Sequence, residues 1–157
     1  MSQSDDLAQQ FEQANAAVIA SVRACGEAEW QATTGEEGWT AAALAHHIAE
    51  DHALISGLVT SVGAGGFESP ITAEQLDAMN AAHATEFANA DKAAVIDLAH
   101  QNGEGAAAAL RAMSETQLAE RAEFFGQNMT AAEVAENILI GHALSHLESF
   151  KATTGQS

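Results

Sequence analysis

Apolar residues fall at helical spacing in four long segments of this chain, and its one proline, Pro70, lies between the second and third of them. A chain so patterned is directed towards packed helices. The first segment reads Leu7, Phe11, Ala14, Val18, Ile19, Val22, one stripe of an amphipathic helix. Ser4 ahead of Asp5 and Asp6 offers an N-cap followed by acids suited to a helix N-terminus, and the segment closes near Cys25-Gly26. A loop holding Trp30 and Thr33-Thr34-Gly35 leads to Gly38-Trp39-Thr40. Thr40 caps the second long segment, Ala41 to about Val62, which ends in Gly63-Ala-Gly-Gly66 with Pro70 beyond. Thr72-Ala-Glu-Gln75 is a capping box for a shorter helix to about Ala88. Asn89 or Asp91 starts the third long segment, which runs through Met113 although Gly103 and Gly105 weaken its middle. Ser114 to Gln117 begins a short extra turn, and Gly126-Gln-Asn-Met marks a loop. Thr130-Ala-Ala-Glu133, another capping box, opens the last segment, to about Thr153.

An Ala-, Glu-, Gln- and Leu-rich composition without tyrosine gives no strand, so the expected fold is all-α. The expected architecture is one antiparallel four-helix bundle over residues 1–157 with a short extra helix. Lys plus Arg number 5 against 22 Asp plus Glu, a formal charge of −17. This excludes phosphate-backbone binding as the main business and disfavours an anionic membrane surface. It also predicts self-repulsion that added salt screens. No apolar run approaches the ~20 residues of a spanning helix, the start MSQSDDLAQQFEQ is unlike a signal peptide, and the lone Cys25 forms no internal disulfide. The expectation is a soluble cytoplasmic protein.

The seven histidines carry the chemistry. On the second long helix the apolar seam is Leu44, Ile48, Ile55, Leu58 and Val62, with Asp51 in the same stripe. At ~100° per residue His47 falls on the inward edge, His46 faces water and His52 is marginal. On the last helix the inward stripe is Ala135, Ile138, Leu139, His142 and His146, ending near Phe150. His142 and His146, at i and i+4, project from one face and can share a metal ion. An inward His47 completes a three-nitrogen set that suits Zn, Ni or Fe(II) and leaves positions open to water or substrate. Without a metal, these would be core histidines needing other hydrogen-bond partners. Asp51 is either a carboxylate orienting an imidazole, a fourth ligand, or a rim carboxylate paired with another polar group. His83 and His100 read as surface or edge residues. Cys25, without a basic neighbour in sequence, is no nucleophile. Ile140, Leu144 and Leu147 lie away from the His142/His146 stripe, which points to a homodimer through that outer face.

Trp30, Gly38-Trp39-Thr40, Leu44-Ala45-His46-His47-Ile48 and His142-Ala-Leu-Ser-His146 together resemble the DinB/YfiT-like superfamily, including its mycothiol-dependent maleylpyruvate isomerase type. The family's motif places a Trp eight positions before its ligand histidine, as Trp39 stands to His47. Asp77-Ala-Met-Asn80 also resembles a segment common in these proteins. The resemblance implies an up-down-down-up bundle, a divalent metal on His47, His142 and His146 with Asp51 and Asn80 outside them, and frequently a homodimer. It further implies a metal-dependent S-transferase or isomerase that uses mycothiol, bacillithiol or glutathione on a small-molecule substrate. A metal-hydroxide hydrolase is a variant of the same site. A non-catalytic metal-binding or stress-response module is the alternative.

Overall fold

Most helices begin where a short polar side chain satisfies backbone N–H groups that have no partner within the helix. In the computed structural model, which describes residues 1–68 and 71–157, α1 spans Gln3–Ala24, α2 Glu27–Trp30 and α3 Ala41–Gly63. Next come α4 (Ala73–Glu86), α5 (Lys92–Arg111) and α6 (Glu115–Ala119). A hairpin of β1 (Arg121–Phe124) and β2 (Gln127–Thr130) precedes a continuous helical run of α7 (Ala131–Val134), a π-helical stretch (Ala135–Ile140) and α8 (Gly141–Thr153). Thr40 caps α3, and Thr72, Ser114 and Thr130 form the capping boxes their sequences promise. For α1 the cap is Ser2, boxed with Asp5, and Ser4 lies buried in the first turn. Pro70, expected just beyond α3, lies outside the described residues.

Side-chain contacts fix the direction of each long helix. Glu12 pairs with Arg111, and the Lys92 ammonium donates to the Cys25 carbonyl, so α1 and α5 are antiparallel. Thr40 donates to the Ala88 carbonyl ahead of α5 and Asn102 to that of Ala49, so α3 and α5 run parallel. His47 meets His142 while Glu37, before α3, meets His146, so α8 runs against α3. The order is up-down-down-up. Two parallel neighbours need a long crossover, and α4 occupies it. Gly103 and Gly105 leave α5 unbroken.

The core comes in two apolar clusters. One gathers Leu7, Phe11, Val59, Val62, Leu110 and Leu139; the other Val18, Leu44, Ile48, Val95, Leu147 and Phe150. Between them, at the same level on three helices, lie Asn15, His52 and Gly103. His52 Nε2 bonds Asn15 Oδ1 at 2.8 Å, and Asn15 Nδ2 donates to the Ala99 carbonyl at 3.0 Å. A Cβ on Gly103 would stand 2.1 Å from that Asn15 nitrogen, so only glycine lets the amide lie there.

Three expectations are corrected. Residues 121–130 form a two-stranded antiparallel hairpin, and Gly126-Gln-Asn-Met is its turn and second strand rather than a loop. Its two-residue turn places Phe125 at φ 47° and Gly126 at φ 82°, a geometry more often signalled by Asn-Gly. Trp30 sits on a short helix. Ile140 and Leu147 are buried in this chain's own core, and of the three residues assigned to a dimer face only Leu144 is exposed. The π stretch takes an extra residue into its turn and rotates the helix beyond it, so the buried stripe passes through Leu139, Ala143, Leu147 and Phe150. His142 and His146 lie at the edge of that stripe.

Candidate metal centre

α3 and α8 cross where each carries a pair of polar side chains one turn apart. His47 and Asp51 come from α3, His142 and His146 from α8. Each of the three histidines offers a ring nitrogen, and these lie within 4.8 Å of one another. His47 Nε2 is 3.0 Å from His142 Nε2. Asp51 Oδ2 stands 3.3 Å from the first and 3.2 Å from the second. His47 is buried, and the other three are partly covered. Trp39 packs its ring against His47, centroids 5.2 Å apart at 80°, which accounts for the Trp39–His47 spacing.

Electrostatics in this cluster follow from burial. It pushes the His47 and His142 imidazolium forms down to about 3, and the neighbouring imidazoles add to the effect. Burial, then Glu50, pushes the Asp51 carboxyl up to about 7. The contacts of Asp51 with the two rings therefore join weakly charged groups and are not strong ion pairs. Converging lone pairs of this kind are what a cation satisfies. Donors arranged tetrahedrally about zinc at ~2.0–2.1 Å lie about 3.3 Å apart; the His47 and His142 nitrogens stand close to that spacing, and the ligand nitrogens of all three histidines lie within 4.8 Å of one another. The residues fit a divalent ion.

His146 is steered from outside the cluster. Its Nδ1 meets Glu37 Oε1 at 2.9 Å, and Ser149 Oγ donates to Glu37 Oε2 at 2.7 Å. Burial raises the Glu37 carboxyl, but the Ser149 and His146 bonds outweigh it and hold it below its ordinary value. The carboxylate therefore accepts the Nδ1 proton and leaves the Nε2 lone pair free for a metal. Sequence reading missed Glu37. Its only signal was an acid two residues before Trp39.

Other histidines depart from expectation. His46 does not face water: its ring stacks on Phe87 with centroids 3.6 Å apart, and its Nδ1 lies 2.8 Å from His83 Nε2. The crossover brings α4 over that face of α3, which helical phase alone could not show. His83 is thus half-buried, and His52 is wholly buried. His100 is exposed beside Arg23. Asn80 is half-buried on α4, and among the described residues no hydrogen bond joins it to the three histidines. Cys25 is buried, which raises its thiol pKa. No helix among the described residues is long and apolar enough to cross a membrane.

Residues 11–145 match the family model described as Mycothiol maleylpyruvate isomerase N-terminal domain. Among curated proteins and among solved structures, none matches this chain.

Proposed function

The chain belongs to the mycothiol maleylpyruvate isomerase N-terminal domain family, part of the DinB/YfiT-like superfamily, and from that premise we propose that it is a metal-dependent enzyme activating a low-molecular-weight thiol for S-transfer or isomerisation. The convergence of His47, His142 and His146 around one point is the observation that carries this reading. These three side chains hold the ion, of the Zn, Ni or Fe class. When bound, a divalent cation favours thiolate over thiol and polarises a leaving group. Asp51 Oδ2 borders the same point and accepts the proton the thiol gives up. Trp39 covers the His47 ring and narrows water access. Glu37 and Ser149 keep the His146 ring turned to present Nε2.

The test is consumption of mycothiol, bacillithiol or glutathione in the presence of an α,β-unsaturated carbonyl electrophile. Zinc-loaded protein should accelerate thiol loss, and His47→Ala should abolish that acceleration. Bound metal without acceleration by any of the three thiols would instead favour a non-catalytic metal-binding module.

A further inference from the structure

α3 carries its histidine–carboxylate pair twice, offset by one residue. His47 and Asp51 serve the cluster already described. His46 and Glu50 repeat the i, i+4 spacing next to them, and there the third donor comes from α4: His83. Ligand atoms of His46, Glu50 and His83 all lie within 4.8 Å of one another. His83 Nε2 stands 2.8 Å from His46 Nδ1 and 3.1 Å from Glu50 Oε2. Phe87 fixes both rings, stacked on His46 and 4.7 Å from the centroid of His83. On the other side of the His83 ring, Nδ1 is buried and has no hydrogen-bond partner. All the polar contacts of that side chain are therefore made through Nε2, towards His46 and Glu50.

From this geometry we propose a second divalent-cation site, formed by His46, Glu50 and His83. Two imidazole nitrogens and one carboxylate oxygen on two helices are a donor set that first-row divalent metals accept. Seating the ion needs the closest pair to open by a few tenths of an ångström. That pair is His46 and His83, whose rings must part slightly, while Glu50, its side chain 43% exposed, can adjust its carboxylate to the ion. The two centres share no ligand, yet the His47 and His83 rings lie 5.6 Å apart. A cation here would bring positive charge beside the main centre. Four of the five basic side chains, Arg23, Lys92, Arg111 and Arg121, do not supply it, being engaged with His100, the Cys25 carbonyl, Glu12 and Glu133. The ligand class for such a pair of centres is a small anion-bearing molecule that bridges or approaches both.

This proposal does not depend on the thiol chemistry. Its test is equilibrium dialysis of the full chain, without a histidine tag, against micromolar free Zn2+, with bound zinc measured by mass spectrometry. Wild type should bind two equivalents. His83→Ala should lose one, and Glu50→Gln, an exposed conservative change that leaves folding intact, should weaken the same one. His142→Ala should keep it. Circular dichroism checks that each variant retains its helices. If His83→Ala and Glu50→Gln bind as many equivalents as wild type, the site does not exist. Wild type that binds only one equivalent, lost in His83→Ala and kept in His142→Ala, would sustain this site and overturn the principal one.

Discussion

The Nδ1 of His146 is held by the carboxylate of Glu37 at 2.9 Å, across 109 residues of sequence. A loop residue ahead of α3 thereby sets the tautomer of an imidazole on α8. Carboxylates that orient metal-binding histidines commonly contribute ~10–100-fold to metal affinity. Glu37→Ala should weaken zinc binding at the His47/His142/His146 centre by about that factor while helicity is retained. Competition against a chromophoric chelator measures it. Unchanged affinity would mean that the ring needs no such steering.

His47 and His46 are adjacent in sequence but serve different clusters. His47→Ala should remove zinc from the principal centre, because two remaining imidazoles no longer enclose an ion. His46→Ala should leave that centre loaded. Metal content of the two variants beside wild type decides the matter, and release by His46→Ala alone would reverse the assignment.

His52 makes metal-free stability depend on pH. Burial lowers its pKa from 6.5 to about 4, so the unfolded chain takes up a proton in that interval while the folded one does not. Stability is complete above the unfolded value and falls as pH drops from 6.5 towards 4, by about 3 kcal/mol for this group. His47 and His142, lowered to about 3, act in the same direction. Asp51, raised to about 7, acts oppositely, since its folded form keeps a proton the unfolded form has lost. Three histidines outweigh one carboxyl. Urea unfolding in the presence of a chelator should show lower stability near pH 5 than near pH 7. His52→Gln, which can still donate to Asn15, should reduce the difference. A slope unchanged in that variant would exclude His52 as its source.

Gly103→Ala should destabilise the bundle although alanine is the better helix former. Its Cβ would displace the Asn15 amide and break the two buried bonds to Ala99 and His52. Losing buried partners costs ~1–3 kcal/mol each, against ~1 kcal/mol gained in helix propensity. The expected net loss is about 1–5 kcal/mol by thermal or urea unfolding. Asn15→Ala combined with Gly103→Ala should show less than additive loss.

Local signals carried most of the helices into view. Thr40, Thr72, Ser114 and Thr130 each announced a helix start, and the stripe from Leu7 to Val22 defined the face that α1 buries. His47, His142 and His146 were visible because one face of each helix collects them. What stayed hidden depends on contacts between elements. Nothing near His46 in sequence says that α4 will fold over it, and nothing near Glu37 says that its loop will reach Ser149. The hairpin escaped because Phe125 stands where a turn-forming Asn or Gly would ordinarily mark it. Ile140 was placed on an outer face by counting an ideal α-helix through a stretch that is not one, and Leu147 by taking His142 and His146 as the centre of the buried stripe rather than its edge.

That stretch, Ala135–Ile140, sets an angular phase between two halves of one helix. Ahead of it the run answers to the core; after it, the run aims a pair of imidazoles. Removing one residue between 135 and 140 would leave the helical content nearly intact and turn everything downstream by about 100°. Loops in this chain can absorb a change of length, but here one residue more or fewer would swing His142 and His146 out of register with His47. The reading frame of the candidate metal centre is written in helical turns.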